Sequence, residues 1–321
     1  MSLASVIVPT VVGGPRLRGL LESLRDRPAE VEVLVVDNSS PDPEIGDLGD
    51  RFEGVRVIHL DRNAGYSRAV NLAAREAAGE AIVLLNDDTV CDPGYVQAIV
   101  APLDPAAGVT MAAGVMREAG DASRIDTAGM QLDGTLLVFD YLNGEPLARL
   151  DRGVEDPIGP SGAAAAFDRN AFLAAGGFDE TLFAYWEDVD LVLRMRLAGQ
   201  RCALAPDARG THAHSATLGS GSARKNYLMG FGRGYVLRKW GVLRSPRRLA
   251  QVLAVDGAVC LGQIVVDRSI TGIGARVRGF RAARGLEPFP AAALAGQSEP
   301  DGAVRTLRRR ARRRARLRAK G

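Results

Sequence analysis

Five carboxylates in two short clusters are the side chains of this sequence best suited to chemistry. The first cluster, Asn86-Asp87-Asp88-Thr89, comes directly after the apolar run Ile82-Val-Leu-Leu85. Hard divalent cations such as Mg²⁺ and Mn²⁺ take oxygen ligands, and one or two carboxylates together with phosphate oxygens suit them. Asn and Asp also end strands for local hydrogen-bonding reasons, so a plain turn is the competing account. The second cluster, Glu187-Asp188-Val-Asp190, opens a stretch whose apolar positions Val189, Val192, Leu193 and Leu197 recur at helical spacing. Acids in a first helical turn complement the macrodipole, and Asp190 has Arg194 at i,i+4. That accounts for the acidity, but not for Phe183, Tyr185 and Trp186 crowded just before it. A carboxylate beside aromatic rings is the arrangement of a general base acting on a hydroxyl, and a helix N-terminus keeps it ionised.

Two of the three histidines, His212 and His214, stand close together in Pro206-Asp-Ala-Arg-Gly-Thr-His-Ala-His-Ser-Ala-Thr217. They are candidates for a metal or phosphate contact; a histidine that merely hydrogen-bonds its loop is the plain alternative. Gly159-Pro-Ser-Gly-Ala-Ala-Ala-Ala166 carries no large side chain, as a tightly packed turn or a close backbone approach to a ligand would need. Arg224 and Lys225, after a Ser/Gly stretch, are either a diphosphate clamp or a solvated face.

The elements that must hold these residues alternate. Strand-like runs at Ser5–Pro9, Val31–Val36, Val55–Leu60 and Ala81–Leu85 are separated by helical patterns near Pro15–Arg25 and Tyr66–Ala78. Such alternation predicts an α/β fold with a mostly parallel central sheet and helices on both faces. Ligands of such sheets bind at the carboxyl ends of the strands, where Asp37 and Asp88 fall. Further helices are predicted near Tyr185–Ala198, Ala223–Trp240 and Pro246–Val266.

Val6-Ile-Val-Pro9, Val35-Val-Asp-Asn-Ser-Ser40, Asn63-x-Gly-Tyr66 with Asn71, Leu84-Leu-Asn-Asp-Asp88, and Gly177-Phe-Asp-Glu180 with Trp186-Glu-Asp-Val-Asp190 after it occur in this order. Together they resemble glycosyltransferase family 2, and within it bacterial rhamnosyltransferase-like enzymes of cell-wall and polysaccharide assembly. The resemblance runs from about Ser5 to Trp240. It implies a GT-A fold, an inverting transfer, and Mg²⁺ or Mn²⁺ as cofactor. By the same resemblance Pro9, Thr10 and Asp37 contact the nucleoside. Arg62, Asn63 and Gly65 line the nucleotide pocket with Asn86 and Asp87, and Asn71 braces the following helix. The D-x-D signature of the family stands here as Asn86-x-Asp88, so Asp88 is the implied metal ligand. His212 is the implied second metal or diphosphate contact, with His214 as the alternative. Gly162, Ala163, Tyr185 and Trp186 would flank the donor sugar and acceptor, and Asp188, with Glu187 beside it, would be the base. The implied partners are a dTDP- or UDP-sugar donor and a sugar or lipid-linked sugar acceptor. A non-catalytic nucleotide-sugar or carbohydrate-binding relative is the alternative, although such a protein need not keep both Asp88 and Asp188. A sugar-nucleotide pyrophosphorylase would need a long Gly-rich basic loop where Val11-Val-Gly-Gly-Pro-Arg16 is short.

Composition is that of a globular chain, with 46% hydrophobic and 25% charged residues. Cys91, Cys202 and Cys260 are far apart, which excludes a zinc knuckle or disulfide scaffold and fits a reducing cytoplasm. The N-terminus lacks the pattern of a signal peptide. Ten basic residues and no acidic one lie between Arg305 and Lys320, so the remainder carries −7 against a whole-chain +3. That tail is a solvated end or a contact for the anionic inner face of the plasma membrane. Nucleic acid fits it poorly, because no aromatic residue interleaves with the arginines. A run of about 18 apolar residues marks a membrane span. The nearest approach, Val252–Val266, is broken by Asp256 and Gln263, so the expectation is a core helix and no span. The expected organisation is a transferase domain over 1–241, a helical extension over 242–290, and a disordered basic tail over 291–321.

Overall fold

The computed structural model describes residues 4–212 and 222–290. His214 and the basic tail lie outside the described residues. The chain forms β1 (Ala4–Thr10), α1 (Gly14–Ser23), β2 (Glu32–Asp37), α2 (Leu48–Arg51), β3 (Val55–His59), α3 (Tyr66–Glu76) and β4 (Ala81–Leu85). Next come β5 (Thr89–Cys91), α4 (Tyr95–Val100), β6 (Val109–Glu118), β7 (Asp121–Thr127), β8 (Met130–Leu132), β9 (Val138–Asp140) and β10 (Ala164–Asp168). The rest is α5 (Arg169–Ala174), α6 (Glu187–Leu197), β11 (Arg201–His212), α7 (Ala223–Lys239), α8 (Pro246–Val266) and α9 (Thr271–Ala282).

Nine strands make one sheet in the order β3-β2-β1-β4-β10-β6-β11-β5, with β7 paired to β6. The four strands β3-β2-β1-β4 are parallel, as the unbroken apolar runs predict for strands covered on both faces. Leu17, Leu20, Leu21 and Leu24 of α1 and the turn after it join Val6, Val8, Val83 and Leu85 in one buried cluster. α3 covers β1 and β2 through the small residues Ala69, Ala73 and Ala74, all fully buried. Beyond β4 the sheet becomes mixed, because β10 enters antiparallel to both β4 and β6. The sheet is parallel through β3-β2-β1-β4 and again where β11 runs beside β6, and antiparallel at β10, β5 and β7. The reversed strand has a use: Ala164 of β10 pairs with Leu85, which brings the loop before β10 to the edge where β4 ends.

The chain divides into two compact units, Met1–Met130 with Asp140–Thr217, and Gln131–Phe139 with Leu218–Gly321. The second takes in α7, α8 and α9. Its α7 and α9 cross at their glycines. A β-carbon at Gly230 would overlap the Gly272 carbonyl, one at Gly234 the Arg276 carbonyl, and one at Gly279 the Phe231 carbonyl. Only hydrogen at these positions lets two backbones approach so closely.

α8 departs from the expectation of a core helix. Only Val252 and Val255 are buried, and the helix Pro246–Asp267 is long and apolar enough, by length and composition, to cross a membrane. Asp256 and Gln263 interrupt the run when it is counted along the chain. In the helix they lie on the inner side, where Asp256 meets Arg233 at 3.0 Å and Gln263 donates to Asn226 at 3.2 Å.

Candidate active site

The parallel strands end in register, Thr10 opposite Asp37 and Asp37 opposite His59. Asp37 is buried; one carboxylate oxygen accepts from the Ser40 N–H at 2.7 Å, and the other lies 2.9 Å from His59 Nδ1. Asn38, next along, holds the following loop in place. Its amide donates to the Gly65 carbonyl at 3.2 Å and accepts from the Ala64 N–H at 2.7 Å. Asn63 accepts from the Gly65 N–H at 3.0 Å, and Arg62 and Asn63 are exposed at this edge. Pro9 is half-buried at the end of β1. Gly65 has φ +90°, and a β-carbon there would lie 2.6 Å from the Phe183 carbonyl oxygen, so the position requires glycine.

At the end of β4, Asp87 and Asp88 have different surroundings. Asp87 accepts from the Thr10 hydroxyl at 2.5 Å, while Thr10 accepts in turn from the Gly13 N–H at 2.9 Å. Burial raises the Asp87 pKa, the Thr10 bond opposes this in part, and the Asp88 charge adds to it. Asp88 faces His212. The antiparallel pairing of β5 with β11 sets Thr89 opposite His212, so the imidazole Nε2 falls 3.0 Å from Asp88 Oδ1 and 3.2 Å from the Asn86 amide nitrogen. The Asp88 and His212 side chains are 6% and 8% exposed. Burial alone would raise Asp88, but the hydrogen bond and charge of His212 outweigh it and hold Asp88 below the usual carboxylate range.

Among the described residues no three or more His, Cys, Asp and Glu side chains converge so as to hold a metal ion by themselves. Asp88 and His212 offer one carboxylate and one imidazole at a shared point. That donor set fits a hard divalent ion that completes its shell with phosphate oxygens and water, and does not fit a self-sufficient protein cage.

The second carboxylate cluster is carried to the same sheet edge by the loop before β10. A β-carbon at Gly159 would overlap Val192, so this loop runs tightly along α6. The Tyr66 hydroxyl donates to the Gly162 carbonyl at 3.2 Å. Asp188 accepts from the Val189 N–H at 2.8 Å and from the main chain of Gly162. Ala163 links Gly162 to β10, whose pairing with β4 points the loop toward Asn86 and Asp87.

Ahead of α6, Tyr185 and Trp186 both adopt left-handed backbone, with φ 68° and 77°. Two consecutive non-glycine residues in this region cost about 1–3 kcal/mol each, a cost that persists only where surrounding contacts impose it. Those contacts are present. Asn71 donates to the Phe178 carbonyl and accepts from the Phe178 N–H, both at 2.8 Å. The Tyr66 N–H donates to the Phe183 carbonyl at 2.7 Å, and the Ser67 hydroxyl to the Leu182 carbonyl. Arg194 pairs with Asp190 at 2.9 Å and donates to the Gly177 and Ala175 carbonyls. Asn71 therefore braces the segment leading into α6. Trp186 is buried, while Tyr185 stays half-buried.

Glu187 and Asp188 are adjacent acids with unequal support. Glu187 is buried and its Oε2 has no hydrogen-bond partner; burial, then the charge of Asp188, pushes its pKa well up. Burial raises Asp188 too, but the Val189 and Gly162 N–H groups oppose this. Asp188 is therefore the better supported of the two as an anion, and Glu187 the more readily protonated. Burial also pushes the Tyr66 hydroxyl above its ordinary range, so it remains a donor.

The sequence did not single out three of the residues at this edge for a role of their own. Tyr66 and Asn38 lie inside motifs read for their neighbours, and His59 had no partner in view until β2 and β3 paired. Arg224 and Lys225 open α7 in the second unit.

The mixed sheet with helices on both faces, and carboxylates gathered where its strands end, define a GT-A-type glycosyltransferase. Residues 5–170 match the family model described as glycosyl transferase family 2, and the chain belongs to that family. It is 32% identical over 239 residues to the N-acetylglucosaminyl-diphospho-decaprenol L-rhamnosyltransferase of Mycobacterium tuberculosis, an alignment covering 65% of this chain and 76% of that protein. It is 29% identical over 230 residues to the O-antigen biosynthesis protein RfbC of Myxococcus xanthus, covering 66% of this chain and only 17% of that much longer protein. The fold is also that of GalNAc-T7 solved with UDP, GalNAc and Mn²⁺, with TM-score 0.62 and 16% identity over 92% of this chain and 56% of that one. A mannosyltransferase from Pyrobaculum calidifontis, in complex with GDP-Man and Mn²⁺, aligns with TM-score 0.53 and 18% identity over 92% and 79% of the two chains.

Proposed function

We propose that this glycosyltransferase moves a sugar from a nucleoside diphosphate to an acceptor hydroxyl in one inverting displacement, with Asp188 as the base. The observation that carries the reading is the division of labour at the start of α6. One acid is buried with its Oε2 unpartnered and its pKa pushed well up, while main-chain N–H groups of Val189 and Gly162 support the carboxylate of its neighbour. Asp188 takes the acceptor proton while the acceptor oxygen bonds to the anomeric carbon. The bond from that carbon to the diphosphate oxygen breaks, and its electron pair leaves with the nucleoside diphosphate. Asp88 and His212 would hold Mg²⁺ or Mn²⁺, which when bound supplies charge stabilisation to the departing diphosphate. Asp37, Thr10 and the Arg62–Gly65 loop would receive the nucleoside. Gly162, Ala163 and Tyr185 would flank the sugar and acceptor, with Trp186 supporting them from beneath.

The donor is a dTDP-sugar, rhamnose first, or a UDP-sugar, and the acceptor a sugar or lipid-linked sugar of cell-wall, polysaccharide or glycolipid assembly. The name of the M. tuberculosis relative, a rhamnosyltransferase toward a decaprenol-linked sugar, supports this choice. The Arg-rich tail would then attach the enzyme peripherally to the anionic cytoplasmic membrane face. Calorimetry with Mn²⁺ or Mg²⁺ across dTDP-, UDP- and GDP-sugars tests the reading. A metal-dependent donor, and then a product of inverted anomeric configuration, supports it. Folded protein that binds none of them overturns it.

A further inference from the structure

We infer that the outward face of α8 seats the protein on an anionic lipid bilayer, with the helix lying in the plane of the interface. This seat belongs to the helix alone and does not depend on the chemistry assigned to Asp188. Leu253, Leu261 and Val265 are 65%, 61% and 68% exposed. From Val252 to Val266 no exposed residue carries a polar side chain. The polar groups of that stretch are all turned inward. Asp256 pairs with Arg233 at 3.0 Å and approaches Arg276 at 3.7 Å, and Gln263 bonds Asn226. A face this apolar and this long is unusual on a soluble surface and marks a binding site.

Charge selects the occupant. Exposed Arg247 precedes the apolar stretch and exposed Arg268 comes after it, and no acidic side chain stands on the face between them. Long cationic side chains at the ends of a buried apolar strip reach for phosphate headgroups. A second copy docked antiparallel on the same face would instead set Arg247 against Arg268, like charge against like. Spanning is disfavoured by the inner side of the helix. Insertion into hydrocarbon would strip Asp256 from its arginines or draw the arginine-bearing α7 and α9 in with it.

The test is flotation of the full chain with phosphatidylcholine vesicles, with and without phosphatidylglycerol. Wild type is expected to float with the anionic vesicles and to keep part of its binding in high salt, where a purely electrostatic contact is screened. L253Q/L261Q/V265Q should weaken partition by at least roughly tenfold and abolish the salt-resistant part. Its far-UV circular dichroism and melting should stay as in wild type, since all three positions are exposed. R247E/R268E, which leaves the apolar face and the Arg-rich tail intact, should lower the preference for anionic over zwitterionic vesicles without abolishing it. Unchanged partition of the triple variant overturns the proposal. So does resistance of bound wild type to alkaline carbonate extraction, which would mean a span. A lipid-independent dimer that the triple variant dissolves, without loss of vesicle binding, would assign the face to a second copy instead.

Discussion

His212 stands 3.0 Å from Asp88 because Thr89, the residue after Asp88, lies opposite His212 across the β5–β11 ladder. The contact is therefore set by strand register, and a shift of one residue would turn the imidazole to the other face of the sheet. Removing the imidazole should weaken metal-dependent donor binding by roughly 10–100-fold. In H212A, only the Asp88 main-chain N–H and the charge of Arg16 still oppose burial, so Asp88 titrates higher and donor binding should fail at a higher pH on acidification. Calorimetric titrations over an acid pH series, with wild type and H212A side by side, check both effects.

Asp188→Asn should lower turnover by about 10²–10⁴-fold, the usual worth of a general base, and leave donor affinity unchanged. Single-turnover rates and donor Kd values separate the two. Weak donor binding by folded D188N would count against the assignment.

Glu187 has a pH signature of its own. Its folded-state pKa is raised, so its contribution to stability is fully present below the ordinary carboxylate range and is lost as pH rises through the folded value. Glu187→Gln stays neutral throughout. The variant should match wild type at low pH and exceed it in stability increasingly toward neutrality. Each tenfold in proton affinity at this site corresponds to about 1.4 kcal/mol. Urea denaturation at several pH values measures the gap, and a constant gap would refute it.

The brace behind α6 should fail at either partner. Asn71→Ala leaves the buried Phe178 main chain short of both bonds, at a cost of about 1–3 kcal/mol for each unsatisfied group. Gly177 has φ +65°, and a β-carbon there would stand 2.5 Å from the Asn71 amide oxygen. Gly177→Ala is expected to destabilise by about 1–3 kcal/mol. Because the two residues share one contact, the double variant should lose less than the sum, as a thermal-melting cycle would reveal.

In the second unit, Gly234→Ala places a methyl group against the Arg276 carbonyl. The expected loss is about 1–3 kcal/mol, read as faster amide exchange in α7 and α9 with β1–β4 unaffected.

Much of the edge was legible from residue order. Asp37 and Asp88 come after apolar runs long enough to be buried strands, and the side chains just past the end of such a strand face a ligand crevice. Asp190 and Arg194 pair at the spacing a helix requires. Other features have no trace in residue type. Nothing about tyrosine or tryptophan announces a left-handed backbone, because that conformation is imposed by bonds to Asn71, Tyr66 and Ser67 more than a hundred positions away. That the Gly162 N–H supports the Asp188 carboxylate depends on how the loop before β10 lies against α6. The outward face of α8 was hidden for a geometric reason. Counting along a line treats Asp256 as a break in an apolar run, whereas on a cylinder it occupies only the inner side. The glycines at 230, 234, 272 and 279 likewise read as weak helix formers until the two helices that share them are set face to face.

The left-handed pair Tyr185–Trp186 carries a bargain for any attempt to make this enzyme hardier. Glycine at either position would relieve the backbone and leave the bonds to Asn71, Tyr66 and Ser67 alone to set the rotation at which α6 begins. Selection for heat tolerance should therefore be drawn to this dipeptide and yield proteins that survive longer while turning over more slowly. The loss would show itself as a scatter of base orientations, with no missing contact to account for it.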